Sequence, residues 1–268
     1  MNHETAVRGG GPGAGRPVLV DVSGPARPPA AGRTGVRPRY RAILAVDIEG
    51  STTRTDPVKA ELRRTLYRLL EEAFNRAGIG RGYREEYVDR GDGALVLVHP
   101  FDEVPKTLLL DPVVPILSGL LAEYNAFAEC NSERTITSGG DRRIRVRVVV
   151  HAGEVQSDGH GDFGEALDVA CRLLDSPEAK SALRRTRAPL VLVVSEDIYH
   201  SIVRHGYEGI RADRYVPLVR LEVTGRSHQG WVLDAGAAPA PAHRWTALPA
   251  WTRRLRGLAV SGGPRPPG

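Results

Sequence analysis

The chain has 268 residues, of which 41% are hydrophobic and 26% are charged, a balance typical of soluble globular proteins. Its most apolar stretch, 108–121, is interrupted by an aspartate and two prolines, so the sequence predicts no transmembrane helix. The apolar run at 17–20 is too short for the core of a signal peptide. Two cysteines, Cys130 and Cys171, are too few for a disulfide framework or a structural zinc site. We therefore expect a cytoplasmic protein.

The net charge of +5 is carried by the two ends of the chain. Residues 1–41 and 235–268 each carry a net +5, whereas residues 42–234 carry a net −5. A domain that binds phosphate backbones across its surface needs an excess of basic residues of its own. We therefore expect no nucleic-acid partner.

The same division predicts three regions. Residues 1–38 are rich in Gly, Pro and Arg without apolar periodicity, which predicts a disordered tail before a folded domain at 39–234. Residues 235–268 form an Ala/Pro linker and a basic, Trp-containing tail. Within that tail, 243–258 has apolar residues near helical spacing with arginines between them, which suits a partner or an anionic membrane surface. A helix that docks on its own domain, or one that contacts nothing, is the alternative.

Strand and helix patterns alternate through the middle of the chain. In chain order they predict a strand at 43–46, a helix at 57–77, a strand at 94–98, a helix at 117–130, a strand at 144–148, a helix at 165–174, a strand at 190–194, a helix at 196–204 and strands at 215–223 and 230–234. The strict alternation at 144–148 predicts a strand with one solvated face. Together the elements predict an α+β or α/β class, with helices covering a sheet.

Two acidic turns stand out. Asp47 ends an apolar strand before the small-residue turn 50–52, where backbone amides suit phosphate oxygens and the carboxylate suits the accompanying divalent cation. Asp92, in the turn 89–93, is expected at the same sheet edge, where two carboxylates can hold two metal ions over one phosphate. Each turn has a plainer interpretation: Asp47 caps the next helix, and Asp92-Gly93 is a hairpin turn.

These turns carry a resemblance to a known family. Segments 47–52 and 91–93 resemble the two metal-binding segments of class III nucleotidyl cyclase catalytic domains. Residues 146–154 are similar to the strand and turn before the last motif of that family. Residues 164–173 resemble the helix that carries an Asn and an Arg four residues apart, and the order holds across about 42–234.

The resemblance implies an α+β, ferredoxin-like domain with an antiparallel-rich central sheet covered by helices, working as a head-to-tail homodimer. It implies that Asp47, Ile48 and Asp92 bind metal, with two Mg²⁺ or Mn²⁺ ions as cofactors. The implied reaction is attack of the ribose 3′-oxygen on the α-phosphorus of a nucleoside triphosphate, which expels pyrophosphate and leaves a 3′,5′-cyclic mononucleotide.

The resemblance also assigns the remaining site residues. Gly50, Ser51 and Thr52 would bind the substrate, while Arg172 and Asp168 would be catalytic and reach over from the other subunit. On a helix these last two positions are one turn apart on one side. An arginine can donate several hydrogen bonds to charge that builds up on a phosphoryl group. The plainer interpretation of Arg172 is a solvated helix charge.

Three positions depart from the pattern of the family. Asp168 stands at the Asn position, which replaces a donor and acceptor by an anion that only accepts. Val88 occupies the place of a base-reading Lys or Glu, and Gly161 occupies that of a base-reading Asp or Cys. The polar residues near these places, which are the candidate base readers, are Glu86, Asp89, Arg90 and Asp162.

Two interpretations of these departures stay open. In one, the base pocket is rebuilt for another base, pyrimidines included, as in the stand-alone bacterial cyclases of similar size that defend against phage. In the other, catalysis is lost and the domain binds nucleotide or a protein partner as a regulatory module. We favour an active cyclase, because Asp47 and Asp92 would repel each other without an ion between them.

Other enzyme classes lack their motifs. The acidic Gly-Gly-Asp-Glu-Phe turn of diguanylate cyclases and the Gly-x-Ser-x-Gly elbow of serine hydrolases are absent from the sequence. The histidines show no zinc-type spacing with the two cysteines. His151, which follows the predicted strand at 144–148, is expected to be a structural turn residue.

Overall fold

The computed structural model describes residues 37–89, 91–131, 142–207 and 209–233. The predicted tail at 1–38, apart from its last two residues, lies outside this described part, as do Arg90 and the whole of 235–268 with the segment 243–258. Among the described helices, none combines the length and the hydropathy that crossing a membrane requires.

The described residues form eight strands and five longer helices. The strands are β1 (Arg39–Ile48), β2 (Val88–Asp89), β3 (Gly93–Val98), β4 (Val146–Ser157), β5 (Asp162–Phe163), β6 (Leu190–Ser195), β7 (Tyr215–Val223) and β8 (Arg226–Leu233). The helices are α1 (Asp56–Arg76), α2 (Val114–Asn131), α3 (Glu165–Asp175), α4 (Pro177–Arg185) and α5 (Glu196–Ser201). The helix predicted at 196–204 is therefore divided, since α5 is followed by a short 3₁₀ turn at Val203–His205.

One sheet organises the molecule, with the strands in the order β2-β3-β1-β4-β6-β8-β7 and β5 paired to β4. All neighbouring strands are antiparallel except β4 and β6, which are parallel. The antiparallel-rich sheet predicted above is therefore confirmed. Because β1 lies between β3 and β4, the end of β1 is flanked by side chains from both neighbours.

Helices cover both faces of the sheet. Leu44 and Val46 of β1 pack in a core shared with α1, α2 and α5. Ile43 and Ala45, which alternate with them, pack in a second core with α3 and α4. A strand whose side chains alternate between two covered faces needs apolar residues at successive positions, which is the pattern that β1 shows.

The prediction of a solvated face at 144–148 is wrong. Arg147 is only 8% exposed, and its guanidinium pairs with Asp47 on the neighbouring strand. Arg145, two residues earlier, lies 3.4 Å from Glu49 through its Nη1. The alternation of arginine with valine therefore marks ion pairs with the end of β1, which the sequence pattern alone does not distinguish from a solvated face.

His151 also differs from its prediction. It lies within β4 instead of in a turn, is 4% exposed, and its Nδ1 is 2.7 Å from Oγ of the buried Ser195 on β6. Burial lowers the pKa of His151 to about 4, so the ring is neutral at physiological pH. The contact with Ser195 joins two strands of the sheet, β4 and β6.

Candidate metal and nucleotide site

Close approach of β3 to β1 brings two aspartates together. Asp47 pairs with Gly93, and Asp92 directly precedes that glycine in the hairpin turn. A Cβ on Gly93 would lie 2.1 Å from the main-chain oxygen of Val46, so the strands can meet here only at a glycine. The amide of Ile48 then donates to the main-chain oxygen of Asp92 over 3.2 Å, which holds the turn against the end of β1.

The carboxylate of Asp47 is largely shielded from solvent and lies near two other acidic side chains, Asp92 and Asp175. Its side chain is 16% exposed. The pKa of Asp47 is raised to about 7, and burial is the largest cause of this rise. The positive charge of Arg147 opposes it. The charge and hydrogen bond of Asp92 and the charge of Asp175 raise the pKa further. Burial and like charges therefore outweigh the single arginine, and a bound cation would stabilise the ionised form.

Arg147 is a site residue that the sequence analysis missed. It stands directly opposite Asp47 in the pairing of β1 with β4. Its Nη2 donates to Oδ2 of Asp47, and its Nε donates to the main-chain oxygen of Leu174 over 3.0 Å. Only the strand register could have shown that the two residues meet across 100 positions of sequence.

The turn after β1 folds back onto Asp92. Gly50 has a positive φ of 66°, a conformation that favours glycine, and it leads into a short 3₁₀ turn at Ser51–Thr53. The buried Ser51 donates a hydrogen bond from Oγ to Oδ2 of Asp92. Thr53 closes the turn by donating from Oγ1 to the oxygen of Gly50 over 2.9 Å. The side chain of Ser51 thus orients one of the two carboxylates.

The plainer interpretations of the two turns have different outcomes. Asp47 caps no helix, because α1 begins at Asp56 with Thr55 at its N-cap. The hairpin interpretation of Asp92-Gly93 is correct, since β2 and β3 pair around it, and it coexists with the approach of Asp92 to Asp47. A tight turn is the means by which the second carboxylate reaches the first.

A pocket of about 510 Å³ opens beside Asp92. It is lined by residues of both turns and of the first turns of α1: Ile48, Ser51, Thr52, Asp56, Lys59, Ala60, Leu62, Arg63, Gly91 and Asp92. Lys59 and Arg63 bring positive charge to it from one face of α1. Gly50 and Asp47 are not among the lining residues; Asp47 alternates with Val46 and Ile48, on the face of β1 towards α3.

One candidate base reader is already engaged in its own turn. The carboxylate of Asp89 pairs with Arg63 through Oδ2 and accepts the amide of Gly91 through Oδ1 at 2.8 Å. These two hydrogen bonds lower the pKa of Asp89, and the one from Arg63 is the larger cause. Val88 packs against the core under α3 and α4, as expected for an apolar residue. Glu86 is exposed and Asp162 is half-buried in β5.

The structure does not bring Asp168 and Arg172 to the pocket of their own chain. Both are exposed on α3. The Nη1 of Arg172 donates to the main-chain oxygen of Glu222 on β7 over 3.1 Å. Among the described residues, Asp168 makes no ion pair with Arg172, although they are one helical turn apart.

The ligand atoms available suit a hard divalent cation. Within the described ranges, no group of three or more His, Cys, Asp or Glu side chains is placed to hold a metal ion. The pair formed by Asp47 and Asp92 offers only carboxylate oxygens, which Mg²⁺ and Mn²⁺ prefer. The side chain of Ile48 has no ligand atom, so its main-chain oxygen is all that it can contribute. The charge of Asp92 raises the pKa of Asp47, and a bound divalent cation would offset that repulsion.

Comparison with known proteins identifies the fold of this chain through solved structures. No protein-family model matches the chain, and no curated protein is similar to it in sequence. The solved guanylyl cyclase Cya2 is similar at a TM-score of 0.50 and 14% identity, over 78% of this chain and 98% of that one. The adenylyl cyclase CyaB from P. aeruginosa has a TM-score of 0.49 at 15% identity, over 77% and 100% of the two chains. The adenylate/guanylate cyclase/hydrolase from Silicibacter pomeroyi has a TM-score of 0.44 at 21% identity, over 75% and 99%. The likeness to Cya2 shows that this chain has the fold of a nucleotidyl cyclase catalytic domain, and it confirms the fold that the sequence resemblance implied.

Proposed function

We propose that this protein is a metal-dependent nucleotidyl cyclase, which converts a nucleoside triphosphate to a 3′,5′-cyclic mononucleotide and pyrophosphate for signalling. The observation that carries the proposal is the convergence of Asp47 and Asp92 from neighbouring strands of a cyclase fold. Two partly buried, like-charged carboxylates destabilise the folded chain unless positive charge offsets them, and the ion pair of Arg147 is with Asp47, not with Asp92. Asp92 of this pair lines an open pocket, which favours a site that binds metal and phosphate.

In this proposal each carboxylate has a separate support. Asp47 and Asp92, with the main-chain oxygen of Ile48, hold two Mg²⁺ or Mn²⁺ ions. When bound, such ions lower the pKa of the ribose 3′-hydroxyl and neutralise the triphosphate. Arg147 keeps Asp47 in place from β4, and Ser51 keeps Asp92 in place from the turn after β1.

The pocket supplies the substrate contacts. The turn Gly50–Thr52 presents main-chain amides and the hydroxyl group of Thr52, which are donors suited to phosphate oxygens, whereas the hydroxyl of Ser51 already donates to Asp92. Lys59 lines the same pocket, and its nearest acidic partner is the exposed Asp56 at 3.5 Å. A pair this exposed holds the lysine weakly, so Lys59 remains available to an anion.

Catalysis requires a second subunit in this proposal. Asp168 and Arg172 lie on the exposed surface of α3, away from the pocket of their own chain. A head-to-tail homodimer would place α3 of one subunit over the pocket of the other, and both sites would then be complete. Arg172 would exchange the main-chain oxygen of Glu222 for charge on the phosphoryl group, where an arginine is worth more.

One observation favours a different function. In the described structure Arg172 does not form an ion pair with Asp168, so in a composite site the carboxylate of Asp168 would lie unneutralised beside a triphosphate. That repulsion would favour a catalytically inactive module which binds nucleotide or a protein partner in regulation. Both functions use the same pocket to bind nucleotide, but only the cyclase converts the nucleotide to product.

The test is incubation of the purified chain with Mn²⁺ and ATP, GTP, CTP or UTP separately, with product identification by mass spectrometry. We expect a cyclic mononucleotide and pyrophosphate from at least one triphosphate, and loss of both with Asp47→Ala. Asp102→Ala, the same change at an exposed position, is the matched control and should retain activity. Nucleotide binding without product from any of the four, by a folded dimer, would support the regulatory module instead.

A mixing experiment tests the dimer. Asp47→Ala and Arg172→Ala damage different halves of each composite site. In an equal mixture of subunits that exchange freely, half of the dimers are mixed and each mixed dimer has one intact site, so about a quarter of the wild-type activity should return. An inactive mixture, despite subunit exchange shown by mass spectrometry, would argue that both residues serve the same subunit.

A further inference from the structure

Arg147 has two partners that belong to different parts of the proposed machinery. One is the carboxylate of Asp47, which the proposed function assigns to the site of its own subunit. The other is the main-chain oxygen of Leu174 in the last turn of α3, 3.0 Å from Nε. Two residues before Leu174 on the same helix is Arg172, which the proposed function assigns to the site of the partner subunit.

The chemistry of both contacts suits an arginine. The last four carbonyl groups of a helix have no partner within the helix, so the oxygen of Leu174 is free to accept from Nε. A cation at this end is also favoured by the helix dipole. Because a guanidinium is planar and its donors point in fixed directions, one group sets the position of Asp47 relative to the end of α3. The side chain is 10% exposed, so neither contact is loosened by much solvent.

The contacts around Arg147 restrict it further. It extends from β4, the strand that packs most extensively against both β1 and α3 in this region. Asp175, the last residue of α3, lies close enough to influence the ionisation of Asp47. Asp175 itself pairs with Lys180 of α4. The carboxylate of Asp47 and the C-terminal end of α3 are therefore neighbours, with Arg147 as the only described side chain that bonds to both.

We propose that Arg147 is a positioning residue that couples the two composite sites of the dimer. It orients Asp47 for the site of its own subunit and fixes the end of α3, so that Arg172 is correctly placed for the site of the partner. The inference rests on the proposed function. It differs from a role in one site alone, because loss of Arg147 in one subunit should damage both sites of a dimer.

The mixing experiment distinguishes these roles. Arg147→Met, alone, should lower kcat at least about tenfold, as loss of a residue that supports a metal ligand does, with KM for the nucleotide unchanged because Arg147 touches no substrate. Mixed with Asp47→Ala or with Arg172→Ala, it should restore nothing in either case. Recovery of about a quarter of wild-type activity in either mixture would overturn the coupling, because Arg147 would then serve only one half of a site.

A conservative variant guards against a folding defect. Arg147→Lys keeps a positive charge near Asp47 but cannot donate in the two fixed directions of a guanidinium. We expect it to fold with a melting temperature near that of the wild type and to show the same failure in both mixtures. Complete rescue of kcat by Arg147→Lys would show that charge alone is needed, and the positioning role would be wrong.

Hydrogen–deuterium exchange tests the same coupling without turnover. In the metal-free protein, Asp47→Asn removes the ionic partner of Arg147, and we expect faster exchange in the last turn of α3 than in the wild type. Asp102→Asn is the matched control and should leave that turn unchanged. Equal exchange in Asp47→Asn and wild type would contradict the coupling. If the wild type makes no product, the proposed function fails, whereas this exchange result still decides the link between Asp47 and α3.

Discussion

Replacement of Asp47 by Asn should change how the stability of the protein depends on pH. Burial raises the pKa of Asp47 from 3.8 to about 7, with Arg147 opposing the rise. Between these values the folded chain keeps a proton that the unfolded chain has lost, so the free energy of unfolding falls as pH rises from about 4 to about 7. Asparagine does not ionise, so the variant lacks this fall.

The magnitude follows from the size of the shift. One pKa unit corresponds to 1.36 kcal/mol, so a rise of about three units makes the ionised Asp47 cost up to about 4 kcal/mol of stability above pH 7. Below about pH 4 the protonated aspartate and the asparagine have nearly the same shape and charge, so the two proteins should be equally stable there. The difference should grow through the window and level off above pH 7.

Urea unfolding followed by circular dichroism, in EDTA and at intervals from pH 4 to 9, measures the difference. Asp102→Asn is the control for the same chemical change at an exposed position. A difference that stays flat, or that falls as pH rises, would refute the reasoning, because it would mean that the ion pair with Arg147 outweighs burial. Added Mn²⁺ should stabilise the wild type at pH 8 and leave Asp47→Asn unchanged, since a ligand stabilises only the state that binds it.

Three further predictions concern the residues around this pair. Gly93→Ala places a methyl group against the main-chain oxygen of Val46. We therefore expect the free energy of unfolding in urea to fall by about 1–3 kcal/mol and cyclase activity to be lost. A stable and active variant would contradict the close approach of the strands. Ser51→Ala removes the hydrogen bond to Asp92 and should raise the Mn²⁺ concentration for half-maximal activity about tenfold, whereas an unchanged metal titration would show that Asp92 needs no such support. Burial holds the pKa of His151 near 4, below its usual 6.5, so the folded wild type loses stability as pH falls from 6.5 to 4. The variant His151→Gln should lose less over that window in the same urea titrations, and parallel curves would show that the histidine takes up its proton without cost.

Local patterns in the sequence predicted the secondary-structure elements around the site and the turns that end them. The apolar run before Asp47 and the Gly-Asp-Gly turn around Asp92 predicted two strands and a hairpin, because periodicity and glycine act over a few residues. Helix α1 was predicted to within a residue at each end for the same reason. The elements alone left the choice between α+β and α/β; the resemblance of the motifs to class III nucleotidyl cyclases implied the cyclase fold, which the similarity to Cya2 confirms.

Which charged side chains pair with each other depends on the tertiary structure. Arg147 was predicted to face solvent, because an alternating sequence pattern is the same whether the polar side chains of a strand are solvated or form ion pairs. The register between β1 and β4 places Arg147 opposite Asp47, with which it forms an ion pair. The raised pKa of Asp47 depends on burial beneath α3, and the contact of Arg172 with Glu222 depends on how that helix lies on β7. These are interactions between residues 50 to 100 positions apart, whose energies are set by distance and dielectric in the folded chain, which no local pattern contains.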